Sequence, residues 1–216
     1  MAPQTLPIFP LETPVLFPRC LAPLHIFEPR YRAMVSDALV GARHVGMATV
    51  RPEAVGEMPG DPPIFSIGCA GFIAQHQRFA DGRYLIALQA TARFRVLREL
   101  PRGDERAYRV AEVETLGEEL GDAERARGHR EQVLRHLREV FARDAERRAD
   151  VDLTRLDGLD PVAFACELSQ ALRLPALEKQ ALLEASSAEE RLDRLAQTLA
   201  FYRSLAAGGE TLGTVH

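Results

Sequence analysis

The residues able to do covalent or metal chemistry are few in this 216-residue chain, and their spacing decides how each is read. His129 and His136 lie seven apart and so share one helical face. Helical metal pairs use a separation of three or four, and no cysteine or third ligand stands nearby, so both are expected to be surface histidines. Cys20 and His25 could suggest a thiol nucleophile and its base. That chemistry needs the base positioned in space and the thiol pKa lowered, and neither can be read here. Cys69 and Cys166 sit in apolar surroundings and read as small core residues. Lys179 is the single lysine among 27 cationic residues, so any mechanism that needs a lysine has one candidate.

The best basic patch is Arg93-Phe94-Arg95 with Arg98, followed by Arg102 and Arg106. On a strand, Arg93 and Arg95 share one face and Phe94 points to the other. Glu99, Asp104 and Glu105 interleave with these cations, whereas counterion release on nucleic acid needs clustered ones. A solvated strand face is the favoured reading of the patch. The formal net charge is −4. Residues 1–118 balance to zero and the excess acid falls on 119–216, so neither half is basic. Nucleic acid is therefore a disfavoured partner.

Apolar residues in a proline-broken stretch offer a different chemistry. Residues 6–32 carry prolines at 7, 10, 14, 18, 23 and 29. Each proline removes a ladder donor, so the stretch cannot be one regular interior strand and is expected to be short extended pieces joined by turns. Val15, Leu16, Phe17, Leu24, Ile26 and Phe27 are its candidates for holding an extended peptide, by pockets beside a strand edge. The competing and more economical reading is that they close one end of the core. Within Phe27-Glu28-Pro29-Arg30-Tyr31, a structural role is favoured: Glu28 as helix cap, Pro29 in the first turn, Phe27 and Tyr31 packed on the sheet.

The elements that must position these residues change character near residue 117. Before it, one helix is expected at 28–42 and strands at 44–50, 64–79, 83–98 and 107–116, with a loop at 51–63. Asp81-Gly82 marks a hairpin, and Gly68 and Gly71 a bulge or bend. After it, helical periodicity over 121–149 precedes an acidic loop at 150–159. Helices follow at 160–174, 176–185 and 188–206, the last opened by a Ser187/Glu190 capping box. The expected organisation is a β-rich subdomain over 1–117, a helical bundle over 118–207 and a disordered tail over 208–216.

Particular runs of this chain resemble the N-terminal substrate-binding domain of the Lon protease family. They are LPIFPL at 6–11, VLFP at 15–18, LAPLHIFEPRY at 21–31, the segment 46–52, DGRYLIAL at 81–88, RFRV at 93–96 and LPALEKQALLEASSAEERLDRL at 174–195. The resemblance spans roughly residues 6–205. It implies an α+β fold: a PUA-like β pseudo-barrel with one early helix, then a C-terminal helical bundle. It also implies recognition of unfolded or tagged polypeptides for a protease. PUA relatives bind RNA, so the Arg93/Arg95 strand face, with Arg98, is the alternative.

Two departures limit what the resemblance carries. Ala90 stands where the family has a glycine before the R-F-R run, which puts a local bend in question. No G-x-x-x-x-G-K-[ST] occurs, so no P-loop is present, and Lys179 lies in an expected helix of the binding domain rather than beside a catalytic serine. The expectation is a stand-alone binding domain that is not an enzyme and uses no cofactor or metal. Its expected partners are unfolded or degron-bearing polypeptides and a separate ATP-dependent protease. Three widely spaced cysteines do not make a disulfide framework. Pro7 and Pro10 break the first apolar run, and no run approaches the ~18–20 residues of a membrane span. No membrane association and a cytoplasmic location are expected.

Overall fold

The computed structural model describes residues 3–57, 60–101, 106–143 and 151–207. The expected tail at 208–216, and Arg102, Asp104 and Glu105 of the basic patch, lie outside the described residues. In chain order the strands are β1 (Gln4–Leu11), β2 (Leu21–Ile26), β3 (His44–Thr49), β4 (Ile67–Arg78), β5 (Tyr84–Glu99) and β6 (Arg109–Leu116). The helices are α1 (Pro29–Val40), α2 (Ala123–Arg143), α3 (Leu153–Asp157), α4 (Pro161–Ala171), α5 (Ala176–Glu184) and α6 (Ala188–Ala207). A 3-10 turn, Pro52–Glu57, interrupts the loop after β3.

The strands form one mixed sheet in the order β2-β5-β4-β3-β1-β6. The long strand β5 organises it. Its first half pairs with β2 and its second half with β6, while β4 runs antiparallel to most of its length. The β5–β6 pairing curls the sheet back on itself. β2 hangs outside that curl on β5, so the architecture is a pseudo-barrel rather than a closed barrel. Leu6, Ile8, Ala48, Ala70, Phe94, Ala111 and Val113 fill the interior. A Cβ at Gly68 would collide with the Met47 carbonyl and the Phe94 ring, so close strand approach requires glycine there.

β1 is regular although it holds Pro7 and Pro10. It pairs with β6 through Gln4–Ile8 and with β3 through Ile8–Leu11. Each half therefore has one neighbour, and half of its main-chain positions face none. A proline at such a position removes no ladder bond. The bend near Ala90 also survives the missing glycine. Gly71 pairs with Ala90 while Ala70 pairs with Ala92. Thr91 is the extra residue of the bulge, and its hydroxyl donates to the Ala70 carbonyl at 3.0 Å. Gly82 takes φ +83° in the β4–β5 hairpin turn.

Contacts divide the chain into two units. One comprises Met1–Gly117 with Pro175–Leu183, the other Glu118–Leu174 with Glu184–His216. α5 thus belongs with the sheet, whereas the sequence reading put all of 118–207 in the bundle. The physical reason is polar. The buried Thr49 hydroxyl donates to Gln180 Oε1 at 2.7 Å, and Gln180 Nε2 donates to the Ile67 carbonyl at 3.0 Å.

In the second unit, α2 packs chiefly on α6 and its buried stripe includes Val133, Leu137 and Val140. Arg191 is fully buried, with its guanidinium 2.8 Å from Glu118 and 3.0 Å from Cys166 Sγ. The expected loop at 150–159 contains helix α3 because Asp152 caps it, accepting from the N–H groups of Thr154 and Arg155. Asp160 caps α4 as expected, with Pro161 in the first turn. Glu190 N–H donates to the Ser187 hydroxyl, while the Glu190 carboxylate accepts from Ser186 N–H and Oγ. At α1, Glu28 makes no side-chain cap bond and instead pairs with Arg30 at 2.9 Å.

Candidate functional site

The six apolar candidates of the broken stretch separate sharply. Val15, Leu16, Phe17, Leu24 and Ile26 are 3, 1, 0, 8 and 1% exposed. All five are core residues, although the edges of Leu24 and Ile26 also line the cleft described below, which Val15, Leu16 and Phe17 do not reach. Phe27 alone among them is exposed. The cause is the alternation of β2, whose burial runs exposed, buried, exposed, buried, exposed, buried from Leu21 to Ile26. Even-numbered side chains enter the core and odd-numbered ones leave it.

The outward set makes a surface that sequence reasoning missed. His25 pairs directly with Leu85 on β5, and Leu85 pairs with Gln77 on β4. The His25 ring lies 6.0 Å from Phe27 and 6.4 Å from Phe79, the latter edge to face. Leu21, Phe27, Phe79 and Leu85 are 56, 59, 36 and 43% exposed. Large apolar side chains are thus gathered on the outer face of β2, β5 and the end of β4. The available signal was the alternation in LAPLHIF. The partner strand and its register lay outside local sequence.

A cleft of about 370 Å³ adjoins this face. Phe9, Leu11 and Pro14 line it from β1 and the loop that follows, and Leu24, Ile26 and Phe27 line it from the end of β2 and the residue after it. Glu12, His25, Glu28 and Tyr31 also line it. The Arg30 guanidinium stacks on Tyr31 at 4.5 Å and holds the Glu28 carboxylate.

The basic patch is dispersed. Arg93 is buried, not on a solvated face, and donates to the carbonyls of Leu183 at 3.0 Å and Gly117 at 3.1 Å. Arg95 pairs with Glu114 at 3.0 Å, and Arg98 pairs with Glu112 through two nitrogens. These cross-strand carboxylates come from β6, which local sequence could not place. The three candidate nucleic-acid contacts are therefore a buried tether and two neutralised surface pairs.

The nucleophile and metal candidates do not converge. Cys20 is buried, while His25 points outward from the opposite face of the same segment. Cys69 and Cys166 are buried as well. His129 faces Asp193 at 3.6 Å, and burial pulls the His136 pKa below its ordinary value, with Arg203 and Arg135 adding to the effect. Burial likewise lowers the Lys179 pKa. Among the described residues no group of three or more His, Cys, Asp or Glu could hold a metal ion. No described helix is long and apolar enough to cross a membrane.

Known proteins share the sequence pattern and the fold. The family described as the ATP-dependent protease La (LON) substrate-binding domain matches residues 5–200. Lon protease of Dictyoglomus thermophilum is 26% identical over 193 residues, covering 89% of this chain and 24% of that protein. Lon protease of Desulfatibacillum aliphaticivorans is 30% identical over 196 residues, covering 88% and 23%. This chain thus spans about a quarter of the length of these relatives. A crystal structure of a Lon N-terminal domain protein from Xanthomonas campestris superposes with a TM-score of 0.63 at 25% identity, covering 92% of this chain and 98% of that one. The N-terminal domain of Mycobacterium avium complex Lon protease has the same fold, with a TM-score of 0.68 at 20% identity over 93% of this chain and 98% of that one.

Proposed function

The chain belongs to the Lon substrate-binding domain family, and from that premise we propose that it is a non-catalytic polypeptide-recognition module for unfolded or degron-bearing proteins. The observation that carries this reading is the exposed apolar side chains on the outer face of the sheet: Phe27, Phe79 and Leu85 beside His25, and Leu21 further along β2. Exposed apolar side chains grouped on one surface mark an interaction site. Unfolded chains present the apolar segments that such a surface can take from water. The polypeptide would be handed to an ATP-dependent protease, as the family description suggests. Three buried cysteines that form no disulfide suit a reducing compartment, and a cytoplasmic location is part of this proposal.

Fluorescence anisotropy with a labelled, reduced and alkylated protein tests the reading. Binding with a Kd below about 100 μM, competed by other unfolded chains and not by folded ones, is expected. Absence of binding at that concentration overturns it.

A further inference from the structure

We propose that the polypeptide is bound in one defined way. An extended segment adds to the free edge of β2 as a further strand, seats an apolar side chain in the adjoining cleft and sets a basic side chain against Glu12. This rests on the reading above as a polypeptide-binding module and specifies the chemistry of its ligand.

β2 is the end strand of the sheet and pairs with β5 alone among the described strands. In an antiparallel ladder, alternate residues turn their main-chain groups toward alternate neighbours. The Cys20 carbonyl accepts from Ala90 N–H at 2.8 Å, which sets the phase. With the register Leu21 to Gln89 through Ile26 to Tyr84, the even-numbered residues bond to β5. Leu21, Pro23 and His25 therefore turn their main-chain groups outward. Leu21 and His25 each offer a donor and an acceptor there, and Pro23 offers an acceptor. Pro23 falls at an outward position, which explains why it breaks no bond to β5.

The cleft gives this edge a side-chain pocket. Leu24, His25, Ile26 and Phe27 form its wall on the strand side. Its volume of about 370 Å³ falls at the small end of the range for ligand sites, about 300–1,000 Å³. It suits an apolar side chain with its flanking main chain, not a folded surface. Main-chain bonds with alternate side chains in pockets are the general form of strand addition.

Charge selects the occupant. The lining contains Glu12 and Glu28 and neither arginine nor lysine. Arg30 holds Glu28, whereas Glu12 makes no ion pair among the described residues. A cationic residue beside the apolar anchor completes the site. A second copy of this chain does not, because its own β2 would bring its Glu12 and Glu28 beside these.

The test uses the full chain and a fluorescein-labelled nonapeptide of alternating valine and threonine, with a central phenylalanine and one arginine. Two further versions carry N-methyl groups on alternate amides, one on the odd set and one on the even set. Strand addition predicts that one version loses at least about tenfold in affinity while the other binds like the parent. Glu12→Arg should reverse the preference between this peptide and its glutamate-for-arginine twin. Equal binding of all three versions overturns strand addition and leaves polypeptide recognition standing. Binding of the reduced, alkylated protein without any of the peptides does the same. Failure of both probes overturns the proposal together with the reading beneath it. An unchanged charge preference in Glu12→Arg overturns the assignment of the basic residue.

Discussion

The Arg93 guanidinium donates to the Leu183 carbonyl across 3.0 Å, tying the centre of β5 to the last turn of α5. A second nitrogen reaches the Gly117 carbonyl at 3.1 Å, where the sheet segment ends. An arginine that reads in sequence as a surface cation is thus a buried fastener within the first unit. Arg93→Met leaves both carbonyls without this donor, and a loss of about 3 kcal/mol is expected. The urea midpoint of the purified variant measures it. Arg95→Ala, which removes an exposed pair with Glu114, should stay within about 1 kcal/mol. Equal costs for the two would contradict the difference in burial.

Phe17 and Phe27 lie ten residues apart and should respond in opposite ways. Phe17 is fully buried, so Phe17→Ala should destabilise by about 3–5 kcal/mol. Phe27 is 59% exposed, and Phe27→Asp should change stability by no more than about 0.5 kcal/mol. In the anisotropy assay the same substitution should weaken binding of the unfolded protein at least about tenfold. Full affinity in Phe27→Asp and in Leu85→Asp would remove the outer face from the binding site.

Tyr108 donates to Asp37 Oδ2 at 2.7 Å, and burial, then this bond, pushes its pKa up to about 12 from an ordinary 10. The folded state holds the phenol proton more tightly than the unfolded chain does. The contribution is present in full below pH 10 and is lost as pH rises from there toward 12. Thermal melts across that window should show a falling midpoint in the parent and a shallower fall in Tyr108→Phe. Parallel curves would mean that other groups set the alkaline limit.

Gly68→Ala places a methyl group against the Met47 carbonyl and the Phe94 ring. The carbonyl belongs to β3 and cannot turn aside without breaking its ladder. A loss of about 2 kcal/mol or more is expected, read from the denaturant midpoint. A neutral result would show that β3 and β4 can move apart, against the packing described for the sheet interior.

Elements were legible where a local pattern sufficed. Asp81-Gly82 marked the hairpin because a tight turn needs positive φ, and Gly82 has it. Asp160-Pro161 marked the start of α4 because both cap and first turn use adjacent residues. The site was less legible. β2 could be recognised as extended, but not as the end strand, and the fate of its apolar residues depended on that. Arg95 and Arg98 could be counted as cations, but their carboxylate partners lie on β6, in Glu114 and Glu112.

Beside the family resemblance, the sequence by itself determined the change from β-rich to helical character near residue 117, the Asp81-Gly82 turn and the helix start at Asp160-Pro161. These follow from short-range stereochemistry: turn residues, caps, and the two-residue period of a strand. Only the tertiary structure divided Leu21 and His25 from Leu24 and Ile26 and decided which side of β2 faces water. It also brought Phe79 and Leu85 beside His25 and drew α5 onto the sheet through Gln180 and Arg93. Those outcomes depend on strand order and register between residues tens of positions apart, where burial of a whole face outweighs any local preference.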